Sequence, residues 1–177
     1  MTRPRRSWPF GRRQTLADQY ARRQISYDQY RALLRQRLLK RVEYDISRGN
    51  TERAISRLES SMSWFNTVTR RRLATLYMET GQLVRAGKYW YLLEHLTEAE
   101  QAAVAAFTQS VGNCPLGVCR KLTPQQFFSY HTLDYYAIQQ YANLIDRIGA
   151  RFGHVPNFLT AFKSQLDKFG LKPPGDT

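Results

Sequence analysis

Cysteine and histidine are scarce, with two and three residues in a chain of 177. Two cysteines cannot supply the four ligands of a structural zinc site, nor staple a disulfide-dense scaffold. Three histidines leave little general-base capacity near neutral pH. There is no phosphate-cradling glycine loop, no Walker pattern and no dinucleotide fingerprint. No nucleophile stands beside a plausible acid–base pair. The longest apolar run, Ala102 to Phe107, is far short of the roughly eighteen residues that cross a bilayer. Behind the basic opening, Met1 to Arg6, there is no apolar stretch of the kind that follows in a secretory signal. β-branched alternation, the mark of strands, is nearly absent. These exclusions lead to the expectation of a cytoplasmic all-α protein that is not an enzyme and holds no metal or cofactor.

Acidic residues are also in short supply, 14 against 27 basic ones, for a net charge of +13. The excess is concentrated at the amino-terminal end: residues 1–50 carry 13 basic and 4 acidic side chains, residues 51–177 carry 14 and 10. Arginine supplies 21 of the cations and lysine 6. The guanidinium fork suits phosphate and carboxylate groups, which it can meet with two hydrogen bonds at once. Residues 1–14 combine Arg3, Arg5, Arg6, Arg12 and Arg13 with Trp8, Phe10, two prolines and a glycine, a composition that disfavours a regular helix. We read this segment as a flexible basic arm for an anionic partner: nucleic acid, an acidic protein or a membrane surface.

Hydrophobic residues make up 42% and charged residues 23%, enough to fold one domain with a core of its own. From residue 15 onward, apolar residues recur at three- and four-residue spacing, which predicts helices. Leu16, Tyr20 and Arg23 suggest a short first helix. Ser26 then has the position of an N-cap for a long helix whose stripe is Tyr30, Leu33, Leu34, Arg37, Leu38, Val42 and Ile46, ending at Gly49-Asn50. Arg31, Arg35, Lys40 and Arg41 take its other sides. Thr97 predicts a helix to about Ser110, with Glu98 and Glu100 in its first turn. Residues 112–123 read as a loop around Pro115 and Gly117. Pro124 predicts a further helix to about Gly149, and a last amphipathic helix starts at Pro156 with Phe158, Leu159, Phe162, Leu166 and Phe169 on one face.

The chain also repeats itself. Arg48-Gly49-Asn50 precedes Ala54, and 32 residues later Thr80-Gly81-Gln82 precedes Ala86. In each copy the glycine permits a stop and a turn, and the small alanine permits close helix packing. The second copy places Leu73-Ala74, Tyr77, Gly81, Ala86 and Trp90 at the spacing of a tetratricopeptide repeat, a helix–turn–helix unit of about 34 residues. The first keeps Gly49, Ala54 and Leu58 but has Asp45 in place of the tyrosine. Arg71-Arg72-Leu73-Ala74-Thr75-Leu76-Tyr77, Gly81, Ala86-Gly87-Lys88-Tyr89-Trp90-Tyr91-Leu92 and the segment from Glu98 to Ala106-Phe107 resemble a bacterial family of unknown function, over residues 58–107. That resemblance implies a tetratricopeptide-like fold and no activity. Residues 15–40, with Leu16, Ile25-Ser26, Asp28, Tyr30 and Leu38-Leu39, are similar to the short C-terminal domain family of helical hairpins, which implies an interaction element. The usual glycine of that family is Gln24 here.

The expected organisation is a basic arm (1–14) and one helical domain (15–177). The domain comprises a hairpin with a long second helix (15–48), repeat-like hairpins (49–112) and carboxy-terminal capping helices (113–177). Trp90 occupies the buried aromatic position of its repeat, so Tyr89 and Tyr91, which point elsewhere on the helix, are expected at the surface. Arg70, Arg71 and Arg72 open the preceding helix, where positive charge opposes the helix dipole and so suggests an anionic partner. These five residues form the expected partner-binding surface, with Arg3, Arg5, Arg6, Trp8, Arg12 and Arg13 as the anionic-partner arm. Cys114 and Cys119 are expected as ordinary thiols in a loop, and His131 and His154 have no spacing that ties them to the pair. The favoured function is a non-catalytic adaptor or scaffold binding another protein, with self-association as one way to cover an open repeat face. The alternative is a nucleic-acid-associated protein.

Overall fold

The computed structural model describes residues 15–61, 67–122, 135–157 and 159–160. Every regular element among them is a helix: α1 (Leu16–Ala21), α2 (Tyr27–Ser47), α3 (Thr51–Ser60), α4 (Thr67–Glu79), α5 (Leu83–Trp90), α6 (Glu98–Ser110), α7 (Pro115–Leu122) and α8 (Tyr135–Phe152). The fold is all-α.

Three helices begin with reciprocal caps. The hydroxyls of Thr15, Ser26 and Thr97 accept from the backbone N–H groups of Asp18, Gln29 and Glu100, and those side chains accept in return from the cap residues' own N–H. Each exchange satisfies backbone donors that a helix start leaves without intrahelical partners. This is why the boundaries predicted at Ser26 and Thr97 agree with the observed ones. Arg23, expected on α1, instead leaves the helix with φ +55°.

The repeated glycines make the same turn twice. Gly49 and Gly81 have φ of +74° and +73°, a left-handed conformation that costs a residue with a Cβ about 1–2 kcal/mol. Their N–H groups donate to Ile46 and Met78, and those of Asn50 and Gln82 to Asp45 and Tyr77. Five residues beyond each glycine, Ala54 and Ala86 are fully buried. A third glycine, Gly112 (φ +66°), closes α6 with the same pair of bonds, to Gln109 and Thr108. Here the next residue, Asn113, also has positive φ (+51°), and Cys114 intervenes before the following helix. The segment expected as a loop from 112 to 123 therefore contains α7, begun by Pro115 and carrying buried Val118, Cys119 and Leu122 on one side. α7 packs on α8.

Two apolar clusters hold the chain together. The first gathers Val42, Ala54, Leu58, Leu73, Leu76, Tyr77, Ala86, Tyr89, Trp90, Leu93 and Ala103 from α2 through α6. The second gathers Leu92, Phe107, Val118, Cys119, Leu122, Tyr141, Leu144, Ile145, Ile148 and Leu159. Burial of this kind contributes about 25 cal/mol for each Å² of apolar area removed from water. The clusters meet at α6, where Ala103 serves one and Phe107 the other. Gly87 sets the spacing there, since a Cβ at that position would overlap the backbone carbonyl of Ala103. Trp90 is in the core as expected. The predicted start at Pro124 lies outside the described residues; within them α8 runs from Tyr135 past Gly149 to Phe152. Of the last predicted helix, Leu159 is buried; Phe162, Leu166 and Phe169 lie outside the described residues.

Candidate interaction surface

The three arginines of α4 are not the open patch expected from the sequence. Arg70 is fully buried. Arg71 donates to Glu100 Oε1 at 3.0 Å and to the carbonyl of Glu94 at 3.2 Å, while the other oxygen of Glu100 accepts from the Thr97 N–H. Arg72 grips Glu43 with two hydrogen bonds of 2.8 Å. These side chains fasten α4 to α2 on one side and to the start of α6 on the other. Their acidic partners lie 29 residues away in opposite directions along the chain, so no local pattern around residue 70 announces them.

Tyr89 is likewise an interior residue, 6% exposed. Its ring stacks on Tyr77 with centroids 5.7 Å apart, and burial pushes its phenol above the ordinary range. Tyr77 donates to Glu59 at 2.5 Å. Burial first, and that carboxylate second, push the Tyr77 phenol up to about 12. The expectation for Tyr89 fails because α5 lies between α4 and α6, so it buries more than the one face marked by Trp90. Tyr91 is half-buried and meets Phe107 edge-on at 6.1 Å. The arm residues Arg3, Arg5, Arg6, Trp8, Arg12 and Arg13 lie outside the described residues.

The loop reading of the cysteines also changes. Cys119 is buried on α7 within the second cluster, and Cys114 sits just before Pro115. Hydrogen bonding from the Gly117 N–H lowers the Cys114 thiol, with smaller contributions from the Leu116 N–H, Arg151 and Arg120. His154 is exposed, its Nδ1 3.1 Å from the Phe152 carbonyl; His131 lies outside the described residues.

A different surface combines accessible charge with aromatic rings. On α1, α2 and their connection, Arg22, Arg23, Arg31, Arg35, Arg37, Lys40 and Arg41 face only two acids, Asp18 and Asp28, between residues 15 and 41. None of the seven cations forms an ion pair among the described residues. Asp18 is held by Thr15, whose backbone and hydroxyl hydrogen bonds keep its carboxyl below the usual value. Tyr20 stacks on Tyr30 at 5.1 Å and tilts against Tyr27 at 5.9 Å. The Arg31 guanidinium lies over the Tyr27 ring at 5.6 Å. Leu34, in the middle of the predicted apolar stripe, is 44% exposed. A hairpin so built can neutralise an anionic surface while offering rings to stack on it. The sequence carried the signal, arginines on every side of a leucine stripe, but the stripe reads as core along its whole length, whereas Val42 is buried and Leu38 and Ile46 pack on the first cluster while Leu34 is exposed.

No helix among the described residues is long and apolar enough to cross a membrane. The chain belongs to a family of unknown function, DUF6584, whose profile matches residues 33–156. This agrees with the expected membership of a family without assigned activity. The match begins at Leu33 within α2, so α1 and the start of α2 precede it. No curated protein and no solved structure matches the chain.

Proposed function

We propose that the protein is a non-catalytic adaptor of the cytoplasm, a tetratricopeptide-like helical repeat that holds another protein through its α1–α2 hairpin. The observation that carries this reading is the contrast in charge use. Arg71 and Arg72 on α4 are spent on Glu100 and Glu43, whereas the seven cations of the hairpin have no such partners among the described residues. Unspent charge beside exposed Tyr20, Tyr27 and Leu34 suits an acidic partner with some apolar surface. The repeat assignment is supported by the paired turns at Gly49 and Gly81 and by the buried Ala86 and Trp90. The basic arm adds a second contact of the same sign. Reversing Arg31, Arg35 and Arg37 to glutamate tests the proposal in a pull-down from lysate, with circular dichroism as a folding control. Partners captured by the wild type are lost from the folded variant. Capture unchanged by the reversal would refute the proposal.

The stacked Tyr20 and Tyr30 beside arginines favour a second reading, contact with nucleic acid. Size-exclusion with light scattering, reading absorbance at 260 and 280 nm before and after nuclease, separates the two. Co-purifying nucleic acid whose binding falls steeply with salt favours the second reading. A clean protein peak favours the adaptor, and its mass reports self-association.

A further inference from the structure

Where the end of α5, the α6–α7 turn and α8 converge, the chain encloses a cleft of about 130 Å³. Its apolar wall is Pro115, Val118 and Leu144; its polar lining is Tyr91, Thr108, Asn113 and Arg147. That volume is well below the roughly 300 Å³ at which pockets hold drug-sized ligands, and it suits one small polar group. On its α6–α7 side the charge is all positive. From Gln101 to Leu122 there is no acidic residue, while Arg120 and Arg151 act on Cys114, between the lining residues Asn113 and Pro115. Arg151 also reaches the Asn113 carbonyl at 3.5 Å, one helical turn along α8 from Arg147. Arg120, Arg147 and Arg151 form no ion pair among the described residues. The left-handed pair Gly112 and Asn113 fixes the turn that brings Asn113 and Thr108 to the same side.

We infer that this cleft is a phosphate site, in which Arg147 and Arg151 hold a tetrahedral dianion and Asn113 and Tyr91 complete its hydrogen bonds. Guanidinium forks match phosphate oxygens with paired donors, and the amide and the phenol supply neutral donors, the Thr108 hydroxyl being turned to the Ala105 carbonyl. A free phosphate ion and a phosphorylated side chain share this chemistry.

The test is isothermal titration calorimetry of the full chain with inorganic phosphate, O-phosphoserine and acetate at fixed ionic strength. Saturable binding of phosphate is expected, weakened about tenfold by Arg147→Gln and by Arg151→Gln, as for one lost charged hydrogen bond. Both arginines are exposed, and thermal melts matching the wild type would show that the variants remain folded. Phosphoserine binding tighter than phosphate assigns the site to a modified side chain; equal affinity assigns it to the free ion. Absence of saturable phosphate binding, acetate binding as tightly as phosphate, or unchanged binding in both folded variants would overturn the inference.

Discussion

The turns at Gly49 and Gly81 join two helix pairs, α2–α3 and α4–α5, that share a geometry and fill it with different chemistry. Four residues before the glycine stand Asp45 and Tyr77; four after it, Arg53 and Arg85; eight after it, Arg57 and Tyr89. In the first pair Asp45 is buried, takes a 2.7 Å hydrogen bond from Arg57 Nε and has Arg53 at 3.8 Å. In the second, Tyr77 stacks on Tyr89 and has the Arg85 guanidinium 5.6 Å from its ring. Position for position, an ion pair with a flanking arginine replaces an aromatic stack with a flanking arginine. The first copy, degenerate by sequence, thus places an Asp45–Arg57 pair at the two positions where the second places Tyr77 and Tyr89. Energetically the two differ. Burying an ion pair carries a desolvation cost that its attraction does little more than offset, whereas stacked rings add about 0.5–1.5 kcal/mol beyond their buried area.

The sharpest way to break the second pair without touching its rings is Gly87→Ala. The equivalent position in the first pair is Ile55, which packs at the edge of its cluster, whereas Gly87 lies against the Ala103 backbone. The added methyl must push α5 off α6. Alanine gains up to about 1 kcal/mol in helix propensity, but overpacking against backbone outweighs that gain, for a net loss of about 3 kcal/mol. Urea denaturation followed by circular dichroism measures it. Next in size is Asp45→Ala, expected to cost about 2 kcal/mol, below the range for a fully buried pair because Arg57 keeps partial contact with water. A cycle with Arg57→Ala separates pairing from packing: the double variant should lose about 1 kcal/mol less than the two singles together. Additive losses would mean that Arg57 is incidental and that the likeness between the pairs is only one of backbone.

These contrasts show what the sequence could and could not disclose. Helix starts at Ser26 and Thr97 were legible because a capping box is a local device, complete within four residues. The turns at Gly49 and Gly81 were legible for the same reason. Gly112 does not stand out as their equivalent, because Pro115 and Gly117 resemble loop residues, and only the joint burial of Val118, Cys119 and Leu122 marks a helix there. The expected site failed where burial depended on distant partners. Glu43 and Glu100 are invisible from Arg71 and Arg72, and nothing beside Tyr89 reveals that Tyr77 will stack on it. The hairpin erred in the other direction: its stripe reads as one core face from Tyr30 to Ile46, but Leu34 is exposed and the core begins further along, at Leu38 and Val42.

The smallest predicted effect discriminates most finely between the pairs. Tyr77→Phe keeps the stack on Tyr89 and removes only the hydroxyl that donates to Glu59, at a cost of about 1 kcal/mol. Its signature is the pH profile. The fold favours the neutral Tyr77 phenol, raising it from the ordinary 10.0 to about 12. The stability it contributes is therefore complete below pH 10 and lost as pH rises toward 12. Burial raises Tyr89 as well, so wild-type stability should fall steeply over that window, and Tyr77→Phe should flatten the slope without abolishing it. Asp45→Ala leaves both phenols in place and should fall as steeply as the wild type. Equal slopes in all three proteins would mean that the Tyr77 hydroxyl gives up its proton as readily in the fold as in the unfolded chain, and that the second pair is held by apolar area alone.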